Sequence, residues 1–351
     1  MREKFSDCEL DGILITRPEN IFYLTGIENL EGIYFLYDKG TVFFTDFRYF
    51  NYLKEKDPFF EIVQCRLYTE DIAAWLKKND FRKIGFESGY ITIKALKSWK
   101  DVFLEITLIP CDGFVEDLRL IKDSFEQEQI RKSTNILGQV MNKASEILNN
   151  TSGITERDLA IELDYIMKKM GAQGSAFDII VAAGKRSAFP HASPIDYVIE
   201  NEDLLLIDCG VIYKGYHSDM TRVMLLNDNP DPRIRQIYDI VREAQKAAVS
   251  LVCPGASAKE IDHAAREIIK EAGFEDCFGH GTGHGVGLMI HEDPKINKTS
   301  DSVLKKGMVF TVEPGIYLEN EFGIRWEDMV LVTDGGCEYL TDKSWDSLRF
   351  F

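Results

Sequence analysis

Histidines and acids cluster in the second half of this sequence in a pattern that could hold metal ions. Only six histidines are present, and five of them fall in three short strings. The strings are Phe-Pro-His191, His217-Ser-Asp219, and the run from His280 through His284 to His291. A single histidine is more often a structural residue than a ligand, but clustering beside acids and glycines favours coordination or acid–base chemistry.

Asp208 and Asp219 lie on two strand-like runs joined by a short polar turn, which predicts a β-hairpin. If the turn is Tyr213-Lys214, Asp208 lies directly opposite Asp219. If it is Lys214-Gly215, the register moves by two and both acids keep one face, whereas a three-residue turn would separate them. Two carboxylates about 5 Å apart at Cβ repel each other unless a cation or proton lies between them. A solvated acidic face would also account for this pair taken alone.

Glu313 and Glu327 form a second pair of the same kind. A hairpin centred on Asn320 places the two glutamates opposite each other on one face. Four carboxylates and one imidazole would suit two divalent cations about 3.5–4 Å apart. Because oxygen ligands predominate, manganese is expected, with cobalt, iron or zinc as the alternatives.

Two different domains are predicted to position these residues. Before residue 120, apolar runs at residues 12–15 and 40–44 alternate with helical stretches such as 71–79, the rhythm of an α/β unit. We place the boundary between domains 1–120 and 121–351, just before a helix that should begin with a capping box of Ser124 and Gln127. The second domain is expected to be α+β, with helices near residues 124–150, 155–171, 231–252 and 257–272, and strands near 179–181, 204–207, 223–226, 309–312 and 329–332.

Composition narrows the class of partner. The chain has 58 acidic against 41 basic residues, a formal charge of -17, so neither nucleic acid nor an anionic membrane is expected to bind. Its seven cysteines are scattered and odd in number, which predicts reduced thiols and a cytoplasmic location. No run is apolar enough for a signal peptide or a membrane span. A small peptide or a metal cation is the expected partner.

The string from His280 to Glu292 resembles the signature of the proline peptidases in the pita-bread metallopeptidase family over its whole length. Similarity continues through residues 189–194, 208–222, 313–317 and 325–328, and more weakly through 20–26 and 45–49. The resemblance implies a pita-bread catalytic domain behind a smaller α/β domain of the creatinase and prolidase type. It also implies a homodimer that hydrolyses the bond before proline in small peptides, most often dipeptides.

The resemblance assigns a role to each matching metal ligand. Asp208 would bind one metal ion, and His284 and Glu313 the other. Asp219 and Glu327 would bridge the two ions. Glu313 would also act as the base for the attacking water and pass its proton to the leaving proline nitrogen.

The resemblance also implies substrate contacts. His191 and His291 would polarise the scissile carbonyl or stabilise the tetrahedral intermediate, and Phe177 would line the site of the proline ring. Lys295 stands where dipeptidases of the family often carry an arginine that meets the substrate carboxylate, and Arg325 is expected to bind substrate as well. Phe177 as a core aromatic and Lys295 as a surface lysine remain alternatives.

Three other functions share this pattern. An aminopeptidase that removes the residue before proline from longer peptides would use the same chemistry. A methionine aminopeptidase fits less well, because the N-terminal domain and the His291-Glu292 pair are typical of the proline enzymes. A non-catalytic binding protein of this fold would not need all five ligand positions, which are filled here.

Overall fold

The computed structural model describes residues 5, 9–200, 204–226, 231–341 and 349–350. The chain divides into two compact units, Met1–Arg119 and Leu120–Phe351. Across the described ranges no helix has both the length and the apolarity that a membrane span requires.

The first unit is a single mixed sheet covered by helices on both faces. Its strands are β1 Gly12–Ile15, β2 Ile33–Tyr37, β3 Gly40–Thr45, β4 Glu61–Gln64, β5 Lys83–Glu87 and β6 Thr107–Cys111, in the order β4-β3-β2-β1-β5-β6. Its helices are α1 Pro18–Thr25, α2 Phe47–Glu55, α3 Tyr68–Lys78, α4 Ile93–Val102 and α5 Glu116–Arg119. Ile13 and Ile15 enter one core cluster and Leu14 the other, as expected for a sheet buried on both sides.

The second unit combines four long helices with several small sheets. The helices are α6 Ser124–Asn150, α7 Glu156–Lys169, α8 Pro232–Ser250 and α9 Ala258–Glu271, with 3₁₀ turns at Gly184–Ala188 and Glu275–Cys277. The earlier strands are β7 Gly174–Ser175, β8 Ile180–Ala183, β9 Leu204–Cys209, β10 Val211–Tyr213, β11 Tyr216–His217 and β12 Met220–Leu225. The later strands are β13 Gly283–Gly285, β14 Glu292–Ile296, β15 Val309–Val312, β16 Gly315–Leu318, β17 Phe322–Arg325, β18 Asp328–Thr333, β19 Gly336–Tyr339 and β20 Arg349–Phe350.

Most of the residues predicted to do chemistry lie in or directly beside the strands of two sheets of this unit. One sheet has the order β20-β12-β9-β8 and the other β14-β13-β15-β18-β19. Along β9, Leu205 and Ile207 face a cluster with α6 and α7, whereas Leu204 and Leu206 face a cluster with α8 and α9. This alternation buries both faces of the strand, so Asp208 at its end needs partners or a cation.

The start of α6 differs from the sequence prediction by one residue. The predicted box of Ser124 and Gln127 is wrong: Asp123 is the N-cap, and its carboxylate accepts a hydrogen bond from the Glu126 backbone N–H. The Glu126 carboxylate accepts one from the Asp123 N–H in return. Two carboxylates therefore satisfy two free N–H groups of the first turn, where negative charge is favoured by the helix dipole.

The first hairpin adopts the second of its two predicted registers. Lys214 and Gly215 form the turn with φ values of 47° and 80°, and Asp208 pairs with Thr221. Positive φ at both turn residues matches the twist of the flanking strands, and glycine accepts it without strain. Asp219 lies two residues from Thr221, so Asp208 and Asp219 share one face.

Candidate metal centre

Three of the predicted ligands form a compact group of potential metal-binding atoms. Ligand atoms of Asp219, His284 and Glu327 all lie within 4.8 Å of one another. His284 Nε2 is 3.6 Å from Asp219 Oδ2 and 3.3 Å from Glu313 Oε1. Asp208 acts electrostatically on Asp219, Glu313 and Glu327. The five residues therefore form one charged cluster.

The second hairpin brings the two glutamates together across a break between strands. Val312 pairs with Asp328 on one side of the break, and Gly315 pairs with Arg325 on the other. Glu313 and Glu327 fall between these pairs in the same register, so the predicted facing positions are confirmed.

Neighbouring groups orient the predicted ligands. The Thr221 hydroxyl donates to Glu327 Oε2 at 2.7 Å, and the Thr311 hydroxyl donates to Glu313 Oε1 at 3.0 Å. His284 Nδ1 lies 3.1 Å from the Gly285 carbonyl oxygen, which can only accept. Nδ1 therefore carries the proton, and the Nε2 lone pair is directed at the acids, as in a metal-binding histidine.

The electrostatics of the cluster fit cations. Burial, followed by the charges of Glu327 and Asp208, raises the pKa of Asp219 well above its usual range. Burial, followed by the charges of Glu313 and Asp208, does the same to the pKa of Glu327. Oδ1 of Asp208 and Oδ1 of Asp219 are buried and accept no hydrogen bond from the described residues. Crowded carboxylates with free oxygens are the donor set that divalent ions require.

Arg325 is buried and contacts protein atoms around the cluster. Its Nη2 lies 2.5 Å from Asp208 Oδ2, its Nη1 donates to the Tyr317 hydroxyl at 2.9 Å and its Nε donates to Thr221 at 3.0 Å. A further bond from Nη1 reaches the Pro190 carbonyl at 3.2 Å. Substrate binding by Arg325 stays a prediction, and these contacts favour a role in orienting Asp208.

Tyr317 and His280 are members of this network that sequence reasoning did not assign. The Tyr317 hydroxyl lies 2.9 Å from His280 Nε2, and burial raises the pKa of Tyr317 to about 12. The phenol therefore stays protonated and donates to the imidazole. Both residues lie in motifs noted in the sequence, residues 280–292 and 313–317, but nothing in the spacing of these motifs shows that the two side chains face each other.

The two histidines expected to meet the substrate lie at the edge of the cluster. The rings of His284 and His291 have centroids 4.3 Å apart. Burial, followed by the charges of His284 and His191, lowers the pKa of His291, so it is neutral near pH 7. His191 is exposed and near enough to contribute to that shift.

Phe177 and Lys295 occupy contrasting places. Phe177 is half-buried and lies against the chain between β9 and β10, since a Cβ on Gly210 would come 2.8 Å from its ring. Lys295 is exposed on β14, where it pairs with His284 of β13. Both substrate contacts stay predictions.

A buried ion pair anchors the residue after His291. Lys122 Nζ lies 2.7 Å from Glu292 Oε1, and the two side chains are only 1% and 11% exposed. Replacing Glu292 with Ala leaves a buried ammonium without this partner, so we expect a loss of about 3–5 kcal/mol in the free energy of unfolding. Denaturant unfolding of the metal-free protein measures it.

The matched control is Glu338→Ala, which breaks an exposed ion pair with Arg131. The Arg131 side chain is 40% exposed and the Glu338 side chain 46%. That change should cost at most about 1 kcal/mol. Equal losses in the two variants would show that burial of the Lys122–Glu292 pair has no special effect.

The fold and the site together define a metal-dependent enzyme: a buried set of carboxylates and an oriented imidazole, with two further histidines beside it. Residues 128–334 match Metallopeptidase family M24, and residues 1–121 match the Creatinase/Prolidase N-terminal domain. The chain belongs to metallopeptidase family M24, and the expected pita-bread fold is confirmed.

Individual relatives cover nearly the whole chain. The Xaa-Pro dipeptidase of Pyrococcus furiosus is 39% identical over 341 residues, covering 96% of this chain and 95% of that protein. The structure of an Xaa-Pro dipeptidase from Bacillus anthracis has a TM-score of 0.95 and 37% identity, covering 100% of this chain and 98% of that one. An X-Pro aminopeptidase from Thermotoga maritima has a TM-score of 0.90 and 32% identity, covering 99% and 100%.

Proposed function

We propose that this enzyme hydrolyses the Xaa-Pro bond of dipeptides. The observation that carries the proposal is the cluster of Asp208, Asp219, His284, Glu313 and Glu327 with His191 and His291 at its edge. The dipeptidases of Pyrococcus furiosus and Bacillus anthracis, similar over almost their whole length, support the choice of substrate.

The proposed metal site consists of the five clustered residues. Two divalent ions held there would polarise the scissile carbonyl and make a nucleophile available at neutral pH. Manganese is proposed because four of the five ligands are carboxylates. Asp208 would bind one ion, His284 and Glu313 would bind the other, and Asp219 and Glu327 would contact both.

The chain's own residues are proposed to move the protons. Glu313 is proposed to take a proton from the attacking water and to return it to the leaving proline nitrogen. His191 and His291 stabilise the charge that develops on the carbonyl oxygen. Phe177 lines the site of the proline ring, and Arg325 contributes through Asp208.

Further properties complete the proposal. We propose that the two domains are residues 1–120 and 121–351. The family resemblance also leads us to propose that the enzyme is a homodimer. A cytoplasmic location is proposed because six described cysteines carry free thiols. Light scattering of the purified protein tests the dimer.

The decisive experiment compares Ala-Pro with Ala-Pro-Ala after the protein is stripped of metal and reconstituted with manganese. We expect up to two ions per chain and faster hydrolysis of Ala-Pro. Preference for Ala-Pro-Ala would instead make the protein an aminopeptidase. Absence of stoichiometric metal binding by calorimetry and elemental analysis would remove the proposal altogether.

Removing Lys295 is expected to weaken dipeptide turnover selectively. The carboxylate of a dipeptide lies one residue beyond the scissile bond, and a charge-assisted contact there is worth about 1.5–3 kcal/mol. Lys295→Ala should therefore lower kcat/KM for Ala-Pro roughly ten- to a hundredfold, mainly through KM, while sparing Ala-Pro-Ala. Equal loss of kcat/KM on both peptides, or no loss on either, would show that Lys295 is a surface lysine without a role in binding the dipeptide carboxylate.

A further inference from the structure

The loop that carries His191 begins and ends at one buried carboxylate. Glu156, the first residue of α7, is fully buried. Its Oε1 accepts a hydrogen bond from the Ala183 N–H at 2.9 Å, and its Oε2 accepts one from the Ile195 N–H at 3.2 Å. Ala183 ends β8, and Ile195 lies four residues beyond His191. A single side chain therefore binds both ends of the loop of residues 183–195, and the Arg157 backbone N–H adds a hydrogen bond to the Ile195 carbonyl at 3.1 Å.

Arg186, a residue of this loop, joins Glu156 to Ser193. Its Nε lies 3.0 Å from Glu156 Oε1 and 2.9 Å from Oε2, and its Nη2 donates to the Ser193 carbonyl at 2.6 Å. Ser193 is two residues from His191. The guanidinium group thus ties the buried acid to the backbone beside the histidine.

We propose that the Glu156–Arg186 ion pair positions His191 for turnover. The inference rests on the proposed function, in which His191 acts on the substrate. Because the His191 side chain is exposed, its position depends on the loop backbone more than on packing. A shift of about 1 Å in a reacting group can cost about 10²-fold in rate. Glu156 and Arg186 are positioning residues that act through His191.

The contacts of the loop with the metal cluster add to the argument. The Pro190 carbonyl, next to His191, accepts a hydrogen bond from Arg325 at 3.2 Å, and Arg325 also contacts Asp208. The loop is thus attached to α7 at both ends and to the metal cluster near its middle. A change at Arg186 would loosen the attachment to α7 and leave the Arg325 contact in place.

A double-mutant cycle with Ala-Pro separates positioning from general stabilisation. Arg186→Met should lower kcat about tenfold or more, with KM and metal content little changed. In the His191→Ala background the same substitution should lower kcat less than about twofold, because the residue through which it acts is gone. An equal loss in both backgrounds, or no loss in either, would overturn the proposal.

A spectroscopic readout tests the same point without turnover. Histidine labelled with ¹³C in the zinc-loaded protein should give a His191 resonance, identified by its disappearance in His191→Ala. Arg186→Met should shift or broaden that resonance and leave the signal of exposed His263, on α9, unchanged. An unmoved His191 signal would contradict the inference.

The control is a second ion pair, which joins α7 to the residue just after this loop. Arg157 of α7 contacts Asp196 at 2.9 Å, but the two side chains are 51% and 74% exposed. Arg157→Met should leave kcat within about twofold of wild type, since exposed pairs contribute little. If Arg186→Met does not fold, Arg186→Lys and Glu156→Gln keep a donor or acceptor in place and are measured in the same two backgrounds.

Failure of the proposed function can be distinguished from failure of this positioning role. It would appear in the wild-type protein as no hydrolysis of Ala-Pro, and the histidine spectra would still decide whether Arg186 holds His191 in place.

Discussion

Replacing Asp219 with Asn is expected to lower kcat/KM for Ala-Pro by more than about 100-fold, with loss of bound metal. Removing a residue that only orients a ligand typically costs about 10–100-fold in affinity or activity, and a proposed bridge contacts both ions. Steady-state kinetics with elemental analysis measures both quantities.

The control is Asp196→Asn, the same substitution on an exposed side chain just after the His191 loop. It should leave metal content unchanged. Near wild-type turnover in Asp219→Asn would make the bridging assignment wrong, and an equal loss in Asp196→Asn would show that the effect does not depend on the cluster.

Asp219→Asn should stabilise the folded protein once metal is removed. Burial and the charges of Glu327 and Asp208 raise the pKa of Asp219, so the folded protein holds this proton more tightly than the unfolded chain. The contribution of Asp219 to the stability of the metal-free wild type is therefore lost as pH rises above about 4, and Asn removes that loss. Metal-free Asp219→Asn should unfold at a higher temperature than wild type at pH 8, and the difference should vanish below about pH 4.

Alanine at His191 or His291 is expected to lower kcat by about 10²-fold or more, the scale of removing one donor to a developing oxyanion. Neither residue belongs to the five proposed ligands, so both variants should keep their metal. Parallel measurement of kcat and metal content tests this separation.

Loss of metal in either variant would make that histidine a ligand instead. His263→Ala is the control, since this exposed histidine lies on α9 beside Glu267 and outside the strings of the motif. Its turnover should match wild type.

Much of the site follows from local rules of the sequence. The period of two along a strand placed Asp208 and Asp219 on one face whichever of the two-residue turns formed, and the structure then selected Lys214-Gly215. The same rule set Glu313 opposite Glu327 across a break that the sequence did not reveal.

What the sequence did not reveal are contacts between distant segments. Arg325 reaches Asp208 and Tyr317, and Glu156 gathers the His191 loop, through side chains whose direction depends on the tertiary fold. No periodicity encodes such pairs. The capping box of α6 was misplaced for a different reason: serine and aspartate are both good N-caps, and neighbouring positions competed for one role.

Thr221 links the two hairpins, since its hydroxyl donates to Glu327 and accepts from Arg325, the residue that contacts Asp208. This connection has a consequence for synthesis on the ribosome. The hairpin of Asp208 and Asp219 emerges roughly a hundred residues before Glu313 and Glu327, an interval of roughly 5–20 seconds at about 5–20 residues per second. For most of that time the nascent chain offers only these two carboxylates of the cluster, and His284 follows them before the glutamates. The full set of proposed ligands, with Arg325 to hold Asp208, exists only after Glu327 has been synthesised.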